Sequence, residues 1–372
     1  MPQLSRADNS LLGRWWWSVD RWILGAIGML IGFGYIMMLA ASPAVAERIG
    51  TSRDTFIFKQ IGFLALAGIV VVLVSLLSPR DVKRLAIAGC LVALVLTAAT
   101  MVMGVEIKGA RRWISLPGMT IQPSEFLKPC FAVVAGWLMS EARRSSRFPG
   151  RLIACAIFVF ILLLLKSQPD IGMLAVITAV FLAQLYVDGL PLTLVGIAVA
   201  MIAGGGVAAF TFFPHVRSRV TRFTEGTGDN YQVTTALEAF GNGGLLGRGP
   251  GEGHVKDVLP DAHADFVFAV AGEEFGMLIC VVILSVFAFI VLRGLLRLLR
   301  EQDQFVVLSC TGLVTGFGLQ ALVNMASTLH LIPTKGMTLP FISYGGSSVI
   351  AVALGMGMLL ALTRRRSRDE RP

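Results

Sequence analysis

Long, uninterrupted apolar runs dominate the hydrophobic pattern of the chain. Ten of them are of the order of length that a helix needs to cross a hydrocarbon core of about 30 Å. The runs are near-continuous rather than alternating, and a backbone in lipid must satisfy its own hydrogen bonds, so helices are expected rather than barrel strands. The pattern therefore predicts an all-α, polytopic integral membrane protein of about ten transmembrane helices, at residues 22–42, 58–77, 85–104, 125–140, 152–167, 171–188, 191–212, 274–292, 305–327 and 347–363.

Composition supports this class. Apolar residues make up 55% of the 372 residues and charged residues 15%, and the mean hydropathy is +0.75, which lies outside the range of soluble globular domains. No internal repeat or soluble domain is evident, so residues 1–372 are predicted to form a single membrane domain. Its parts outside the bilayer are a cytoplasmic N-terminal tail (1–21), a large periplasmic loop (213–273) and a cytoplasmic C-terminal tail (364–372).

The first apolar run resembles a secretory signal, because Ala44-Val45-Ala46 imitates a small-residue cleavage site. A signal core has about 7–15 apolar residues, whereas this run has about twenty. Nine further spans also need a route into the membrane. The run is therefore predicted to remain as the first transmembrane helix.

Orientation follows from Lys and Arg near the span ends. With both termini inside, the inner segments hold 18 of these residues, whereas the short outer loops together with the adjoining span ends hold 8. This arrangement places both termini in the cytoplasm and loop 213–273 outside. The formal net charge of +9 is then explained by cytoplasmic flanks that favour anionic membrane lipids, and no nucleic acid is needed as a partner.

Cysteine and histidine positions narrow the chemistry. All five cysteines fall in or beside apolar spans without CxxC spacing, which predicts inert packing thiols: Cys90, Cys130, Cys155, Cys280 and Cys310. The four histidines and most non-basic ionisable residues fall at or near the outer side, so chemistry is expected there. Because nucleotide-activated donors are cytoplasmic, an activated donor used outside is most simply a lipid-linked one.

The long loop contains two local patterns. Residues 231–240 follow Asn230 as an N-cap and precede Gly241, which predicts a short helix. The glycine-rich stretch GNGGLLGRGPGEGHVKDVLP follows. It lacks the strand and the Lys-Ser/Thr of a nucleotide-binding loop, and two interpretations stay open: a close-packed turn or a backbone contact with phosphate.

The acidic segment LPDAHADFVFAVAGEEFG at 259–276 supplies a candidate base. Asp265 lies at the entrance to the eighth span, and Glu273 and Glu274 are expected to continue that helix. A carboxylate at such a partly desolvated edge is expected to have a raised pKa and to serve as a general base, although a solvated or ion-paired Asp fits the same spacing. Asp261, His263 and Asp265 also allow a divalent metal, without an HExxH motif to support it.

Three further outer-face clusters carry ionisable groups. KGARRWISLPGMTIQPSEFLKP contains Arg112, and its Gln122-Pro123 predicts a helix start that places Glu125 and Lys128 on one face. Charged groups at such an entrance are functional candidates, and a simple interfacial ion pair is the alternative. SQPDIG places Asp170 in the first turn of the sixth span, where an acid also complements the helix dipole. LIPTKGMTLPFISYGGSS supplies Lys335 and irregular backbone, which needs protein or water around it at membrane depth.

These segments, taken together with YQ in the long loop, occur in the order and predicted topology of one family. Over about residues 20–363 the chain resembles the SEDS proteins of shape, elongation, division and sporulation. Ala262 and the Gly-Glu-Glu at 272–274 are similar to the cell-division branch rather than the elongation branch. Ala264 departs from the Thr that usually precedes the family's catalytic Asp, and His330 stands where a small residue is commoner.

The resemblance implies a peptidoglycan glycosyltransferase that polymerises lipid II into β-1,4 glycan strands for septal wall synthesis. Inverting displacement of undecaprenyl pyrophosphate needs one base and stabilisation of the leaving charge. Asp265 is the expected catalytic base, and no cofactor is firmly predicted, with a divalent-cation requirement left open. The expected substrate-binding residues are Arg112, Glu125, Lys128, Asp170, Arg217, His263 and Lys335, in which Glu125 orients Lys128 and the four cations face the pyrophosphate.

Three classes of function remain to be separated. A lipid II flippase would distribute ionisable residues through the depth of the bilayer, and an elongation-type polymerase would share the chemistry. A scaffold that only recruits a partner would not need Asp265. The resemblance also implies a class B penicillin-binding transpeptidase and other divisome membrane proteins as partners, with lipid II and the nascent strand as ligands, at the septal inner membrane.

Overall fold

The computed structural model of the chain describes residues 10–49, 53–107, 110–116, 119–212, 217, 221, 231–259, 261–333 and 336–365. A helix lies at each of the ten predicted spans. The helices of these spans are α2 (Arg21–Ile49), α3 (Arg53–Ser75), α4 (Pro79–Met103), α5 (Pro123–Arg144), α6 (Gly150–Ser167), α7 (Ile171–Val187), α8 (Leu192–Phe212), α11 (Val267–Leu298), α12 (Gln304–Thr328) and α13 (Gly346–Leu362).

Three shorter helices are also described: α1 (Leu11–Ser18), α9 (Tyr231–Gly243) and α10 (Val255–Val258). By length and composition, six of the described helices can cross a membrane, and two shorter ones, α7 and α13, are also apolar. The polytopic, mainly helical membrane fold is therefore confirmed. The count of ten crossings stays a prediction.

Helix α5 lies at the centre of the bundle and is buried along most of its length. Small residues let it approach α12 closely. An added Cβ at Gly136 would stand 2.6 Å from the Ser309 nitrogen, and one at Gly312 would stand 2.9 Å from the Ala132 Cβ. Close backbone approach through small residues is the usual way in which membrane helices pack. The polar groups at the start of α5 are thereby fixed against α12 and α13.

Helix α4 shows the opposite exposure. Its residues Leu91, Val92 and Val95 are more than half exposed, although they are large and apolar. In water such a surface would be an association site, whereas in a bilayer it contacts lipid. The described cysteines pack inside or beside the spans as free thiols, as predicted.

A small antiparallel sheet joins α4 to α5, in the order β1 (Val105–Ile107), β2 (Ala110–Leu116) and β3 (Met119–Ile121). Glu106 pairs with Arg111 across β1 and β2, and Ser115 pairs with Thr120 across β2 and β3. The sequence suggested only a basic loop here. The strands are three to seven residues long, too short for alternation to be evident beside two membrane spans.

Helix α11 is not continuous, which corrects the expectation that Glu273 and Glu274 simply continue the eighth span. Gly276 has φ 78° and ψ 177°, a backbone conformation that interrupts the helix. The two glutamates therefore belong to a short first segment, residues 267–275. The predicted span begins, in effect, after the break.

The helix of the long loop is α9, which extends to Gly243 rather than to Phe240. Gly244, with φ 55°, is the first residue beyond it in the left-handed region. The preference of glycine for that region therefore ends the helix three residues later than expected. Asn230, the predicted cap, lies outside the described residues.

Ion pairs tie together the loops that the charge pattern assigns to the cytoplasm. Asp188 forms ion pairs with Arg143 and Arg151, each at 2.6 Å. Asp20 forms ion pairs with Arg293 at 2.8 Å and with Arg297 at 2.7 Å. The ends of five membrane helices are joined in this way into two groups, α5 with α6 and α7, and α2 with α11, as alternating spans require. The side of the membrane on which they lie stays a prediction.

Candidate active site

A cavity of about 580 Å³ lies at the other end of the bundle. Strand β2, the starts of α5, α7 and α13, the turn before α11 and loop 336–345 all contribute to its wall. Four of the predicted site residues line it: Arg112, Glu125, Asp170 and Asp265. These four residues, up to about 150 positions apart in sequence, thus meet at one place, as their shared outer-face position predicted.

Asp265 is held by the turn that precedes α11. The Asp265 and Ala264 nitrogens both donate to the Asp261 carbonyl, at 3.1 and 3.0 Å, and Asp261 has φ 54°. The Asp265 side chain is half-buried. Its carboxylate lies so close to Gly336 that a Cβ there would stand 3.3 Å from Oδ2. A residue without a side chain therefore leaves room beside the candidate base.

Polar groups from later in the chain fix this turn. The Asn324 amide on α12 donates to the Asp265 carbonyl at 3.0 Å and to the Met337 carbonyl at 2.6 Å. Ser343 donates through Oγ to the Ala264 carbonyl at 2.5 Å, and the Tyr344 nitrogen donates to the His263 carbonyl at 2.9 Å. The turn and loop 336–345 are consequently held as one unit.

Asn324 was not singled out from the sequence, although it is fully buried. The signal that could have identified it is an amide inside an otherwise apolar span. A buried amide needs hydrogen-bond partners, and in this membrane bundle it finds them on the segments that form the cavity.

A buried network of hydrogen bonds and one ion pair lies behind the wall of the cavity. Lys128 Nζ lies 2.7 Å from Glu125 Oε2 and donates to Gln320 Oε1 at 2.6 Å. Ser348 Oγ donates to Glu125 Oε2 at 3.3 Å and lies 2.6 Å from Thr338 Oγ1. Glu125 and Lys128 are only 9% and 8% exposed. The predicted pair on one helix face is confirmed, but Lys128 lies behind Glu125 and outside the set of residues that line the cavity.

Arg112 links β2 to the turn before α7. Its guanidinium donates to the Gln168 and Pro169 carbonyls, both at 2.7 Å, and lies 3.3 Å from Asp170 Oδ2. Asp170 also accepts from the Met173 nitrogen at 3.1 Å as the N-cap of α7. Asp170 therefore has both of the positions that the sequence allowed: its side chain caps α7 and also lines the cavity.

The remaining predicted site residues that the structure describes, His263 and Arg217, are not among those that line the cavity. His263 packs its ring 5.2 Å from that of Tyr344 rather than lining the cavity. Tyr344 lines the cavity, and burial raises the pKa of its hydroxyl above the usual value. Arg217 is exposed. Lys335 lies outside the described residues.

The glycine-rich stretch proves to be a close-packed turn across the break in α11. The nitrogens of Arg248 and Gly249 donate to the carbonyls of Glu273 and Glu274, both at 3.0 Å, and the Met277 nitrogen donates to the Gly244 carbonyl at 2.9 Å. An interrupted helix leaves unpaired donors and acceptors, and this loop satisfies them.

The glutamates complete this structure. Glu273 accepts from the nitrogens of His254 and Val255, at 3.2 and 2.9 Å, and Glu274 lies 2.6 Å from Lys256 Nζ. Both glutamates are almost fully buried. These backbone N–H groups are directed into the protein, so they are not arranged to bind a phosphate.

Metal ligation was the other chemistry that the segment allowed. In the part of the chain that the structure describes, no three His, Cys, Asp or Glu side chains are grouped to hold a metal ion. Asp261 and Asp265 both line the cavity, but His263 lies to one side. The site as described consists of a half-buried carboxylate among paired cations, hydroxyls and amides, which suits proton abstraction from a polar substrate.

The chain is similar to known proteins over nearly its whole length. The family model FTSW_RODA_SPOVE, described as "Cell cycle protein", matches residues 21–368. A Caulobacter vibrioides protein named "Probable peptidoglycan glycosyltransferase FtsW" is 42% identical over 97% of this chain and 93% of its own length. A Halomonas elongata protein of the same name is 35% identical over 95% and 93%.

Two solved structures share the fold. One, described as "Structural coordination of polymerization and crosslinking by a peptidoglycan synthase complex", has a TM-score of 0.78 and 24% identity over 95% of this chain and 98% of its own. Thermus thermophilus RodA has a TM-score of 0.69 and 25% identity over 94% and 97%. The resemblance carried by the sequence motifs is thus confirmed, and the chain belongs to the SEDS family of FtsW, RodA and SpoVE, in which it is similar to FtsW.

Proposed function

We propose that this FtsW-type chain is a glycosyltransferase that polymerises lipid II at the outer face of the bacterial inner membrane. The observation that carries the proposal is the placement of Asp265 in a polar cavity at one end of an apolar bundle. That end is the outer one if both termini are cytoplasmic, as the charge pattern predicts. The substrate class follows from the relatives, which are named peptidoglycan glycosyltransferases.

In the proposed reaction, the 4-hydroxyl of an acceptor N-acetylglucosamine attacks C1 of a donor N-acetylmuramic acid. Asp265 accepts the hydroxyl proton while the new C1–O4 bond forms and the bond from C1 to the pyrophosphate oxygen breaks. Undecaprenyl pyrophosphate leaves with the electron pair, and single displacement inverts C1 to give a β-1,4 link. One base is sufficient, in contrast to the two carboxylates of a glycoside hydrolase.

Stabilisation of the departing charge is the second requirement. Lys128 is neutralised by Glu125, and Arg112 lies against Asp170. We therefore assign Arg112 and Lys128 to the support of the cavity wall. Lys335 is the candidate for direct contact with the pyrophosphate.

The relatives also support a partner. One structural neighbour comes from a peptidoglycan synthase complex that coordinates polymerisation with crosslinking. We propose that this chain likewise works with a class B penicillin-binding transpeptidase at the division septum, since no soluble domain that could crosslink peptides is evident in its sequence.

The flippase alternative is tested in the same preparation. Purified protein with its transpeptidase partner is reconstituted in liposomes, and labelled lipid II is supplied to the face that exposes the cavity. We expect glycan strands, and lipid II movement between leaflets no faster than in empty liposomes. Rapid movement without polymer would overturn the proposal in favour of a flippase.

Asn324 is expected to act as a positioning residue for Asp265. Asn324→Ala removes both donors to the Asp265 and Met337 carbonyls and should lower kcat by about tenfold to a hundredfold, since small displacements of a reacting group are costly. KM for lipid II should change little. Steady-state polymerisation kinetics provide the test.

Ser327→Ala is the matched control for this substitution. Ser327 also lines the cavity from α12, but its hydroxyl donates only within its own helix, to the Asn324 carbonyl at 2.9 Å. Its kcat should stay close to that of the wild type. An unchanged kcat in a folded Asn324→Ala variant would remove the positioning role.

A further inference from the structure

A second, larger cavity of about 900 Å³ opens at the end of the bundle opposite Asp265. It lies between the last turns of α11, the start of α12 and the chain just beyond α13. Five arginines line it: Arg293, Arg297, Arg300, Arg364 and Arg365. Arg293 and Arg297 pair with Asp20 in the packing of the bundle. Arg364 donates to Ser18 Oγ at 2.9 Å and to the Leu76 carbonyl at 3.1 Å. Neither the proposed reaction nor this packing explains why Arg300 and Arg365 lie at the same opening.

The charges in this arginine cavity do not cancel. Among the lining residues that the structure describes, Glu301 is the only acidic one, and the buried Asp20 pairs with Arg293 and Arg297. Five positive charges against two negative ones leave a net charge of +3. Arg300 and Arg365 are exposed, and within the described residues neither side chain forms an ion pair. The cavity is therefore suited to an anion.

One wall of the cavity is apolar. Phe289, Leu292, Leu296 and Leu299 line it at spacings of three and four residues, which place them on one face of α11, and they are 39%, 60%, 62% and 81% exposed. The same helix exposes apolar residues toward its other end, such as Leu278. A ligand with one anionic end and a long apolar part would satisfy both walls.

Aromatic residues indicate the depth of the cavity in the bilayer. The Arg293 guanidinium lies 6.0 Å from the ring of Trp22, which is largely exposed, and Arg21 lies 5.1 Å from the ring of Trp17. Exposed tryptophans beside arginines are typical of the boundary between hydrocarbon and headgroups. The arginines are thus at the level of phosphate groups.

We propose that this cavity binds an anionic phospholipid of the leaflet opposite the catalytic cavity. Its phosphate lies among Arg300, Arg364 and Arg365, and its acyl chains follow the apolar face of α11. Basic pockets between membrane helices on the cytoplasmic side bind such headgroups. The C-terminal tail is a poor alternative occupant, because residues 366–372 carry three arginines against Asp369 and Glu370 and are themselves basic.

The test compares lipids of equal chain length on the full-length protein in detergent. Native mass spectrometry measures the binding of phosphatidylglycerol, phosphatidylcholine and free glycerol phosphate. Wild type should bind phosphatidylglycerol at least about tenfold more tightly than phosphatidylcholine. Arg300→Gln with Arg365→Gln should weaken phosphatidylglycerol binding about 30-fold, from the usual contribution of each basic residue near anionic lipid.

Arg80→Gln with Arg147→Gln is the matched control, since both residues are exposed and lie outside this cavity, and the change in charge is the same. It should leave lipid binding within about twofold of wild type, a change below about 0.5 kcal/mol. Thermal unfolding and glycan synthesis should be unaltered in both double variants. Equal binding of the two lipids, or an equal loss in the control, would overturn the proposal. So would glycerol phosphate binding as tightly as the lipid, or phosphatidylglycerol binding that appears only after residues 366–372 are removed.

Discussion

Replacing Asp265 with asparagine is expected to lower the rate of glycan polymerisation by about 10² or more. The substitution keeps the size of the side chain and the backbone bonds of the turn, but it removes the group that accepts the hydroxyl proton. Binding of lipid II should be largely retained, because the cavity wall is unchanged. Polymerisation assays with the partner transpeptidase, together with a lipid II binding measurement, separate the two effects.

Asp261→Asn is the matched control. It removes one negative charge from the same turn and the same cavity wall, and asparagine tolerates the φ of 54° at that position. Its polymerisation rate should stay within a few-fold of wild type. Near-normal synthesis by folded Asp265→Asn, or an equal loss in both variants, would contradict the assignment of a single base.

Breaking the buried Glu125–Lys128 pair is expected to have the largest effect on stability. Lys128→Met leaves the Glu125 carboxylate buried with the hydroxyl of Ser348 as its remaining donor, which should cost about 3–5 kcal/mol. The neutral double variant Lys128→Met with Glu125→Gln should recover most of this loss. Thermal unfolding in detergent across the four proteins of this cycle gives the coupling between the two residues.

An exposed pair supplies the control. Arg84 lies 3.5 Å from Asp81, and their side chains are 79% and 47% exposed, so Arg84→Met should cost less than about 1 kcal/mol. If Lys128→Met were as mild as Arg84→Met, the pair would not hold the cavity wall. If the double variant folds normally but has a strongly raised KM for lipid II, Lys128 contacts the substrate after all.

The membrane helices could be predicted from sequence because each is encoded locally. An apolar run of sufficient length specifies a helix in lipid whatever its neighbours are, and all ten predicted positions proved helical. The sequence also allowed the prediction that four site residues lie at one end of the bundle, because alternating spans place their segments there: Arg112, Glu125, Asp170 and Asp265.

The supporting contacts of the site could not be predicted in this way. Arg112 was expected to face a phosphate, yet it donates to two carbonyls that precede α7. Nothing in the local sequence of either segment indicates that contact. The break at Gly276 could not be predicted from the local sequence either, because a glycine within an apolar run is common in membrane helices. Its effect depends on a loop that begins about 30 residues earlier.

The fixing of Asp265 by later parts of the chain has a consequence for biogenesis. Asn324 and Ser343, which hold its turn, follow it by about 60 and 80 residues. While the chain is being synthesised, the contacts that orient Asp265 cannot form until α12 and loop 336–345 have been made and lie beside its turn. The proposed catalytic centre is therefore completed among the last steps of assembly, and a chain that stalls before α12 carries Asp265 without the contacts that orient it.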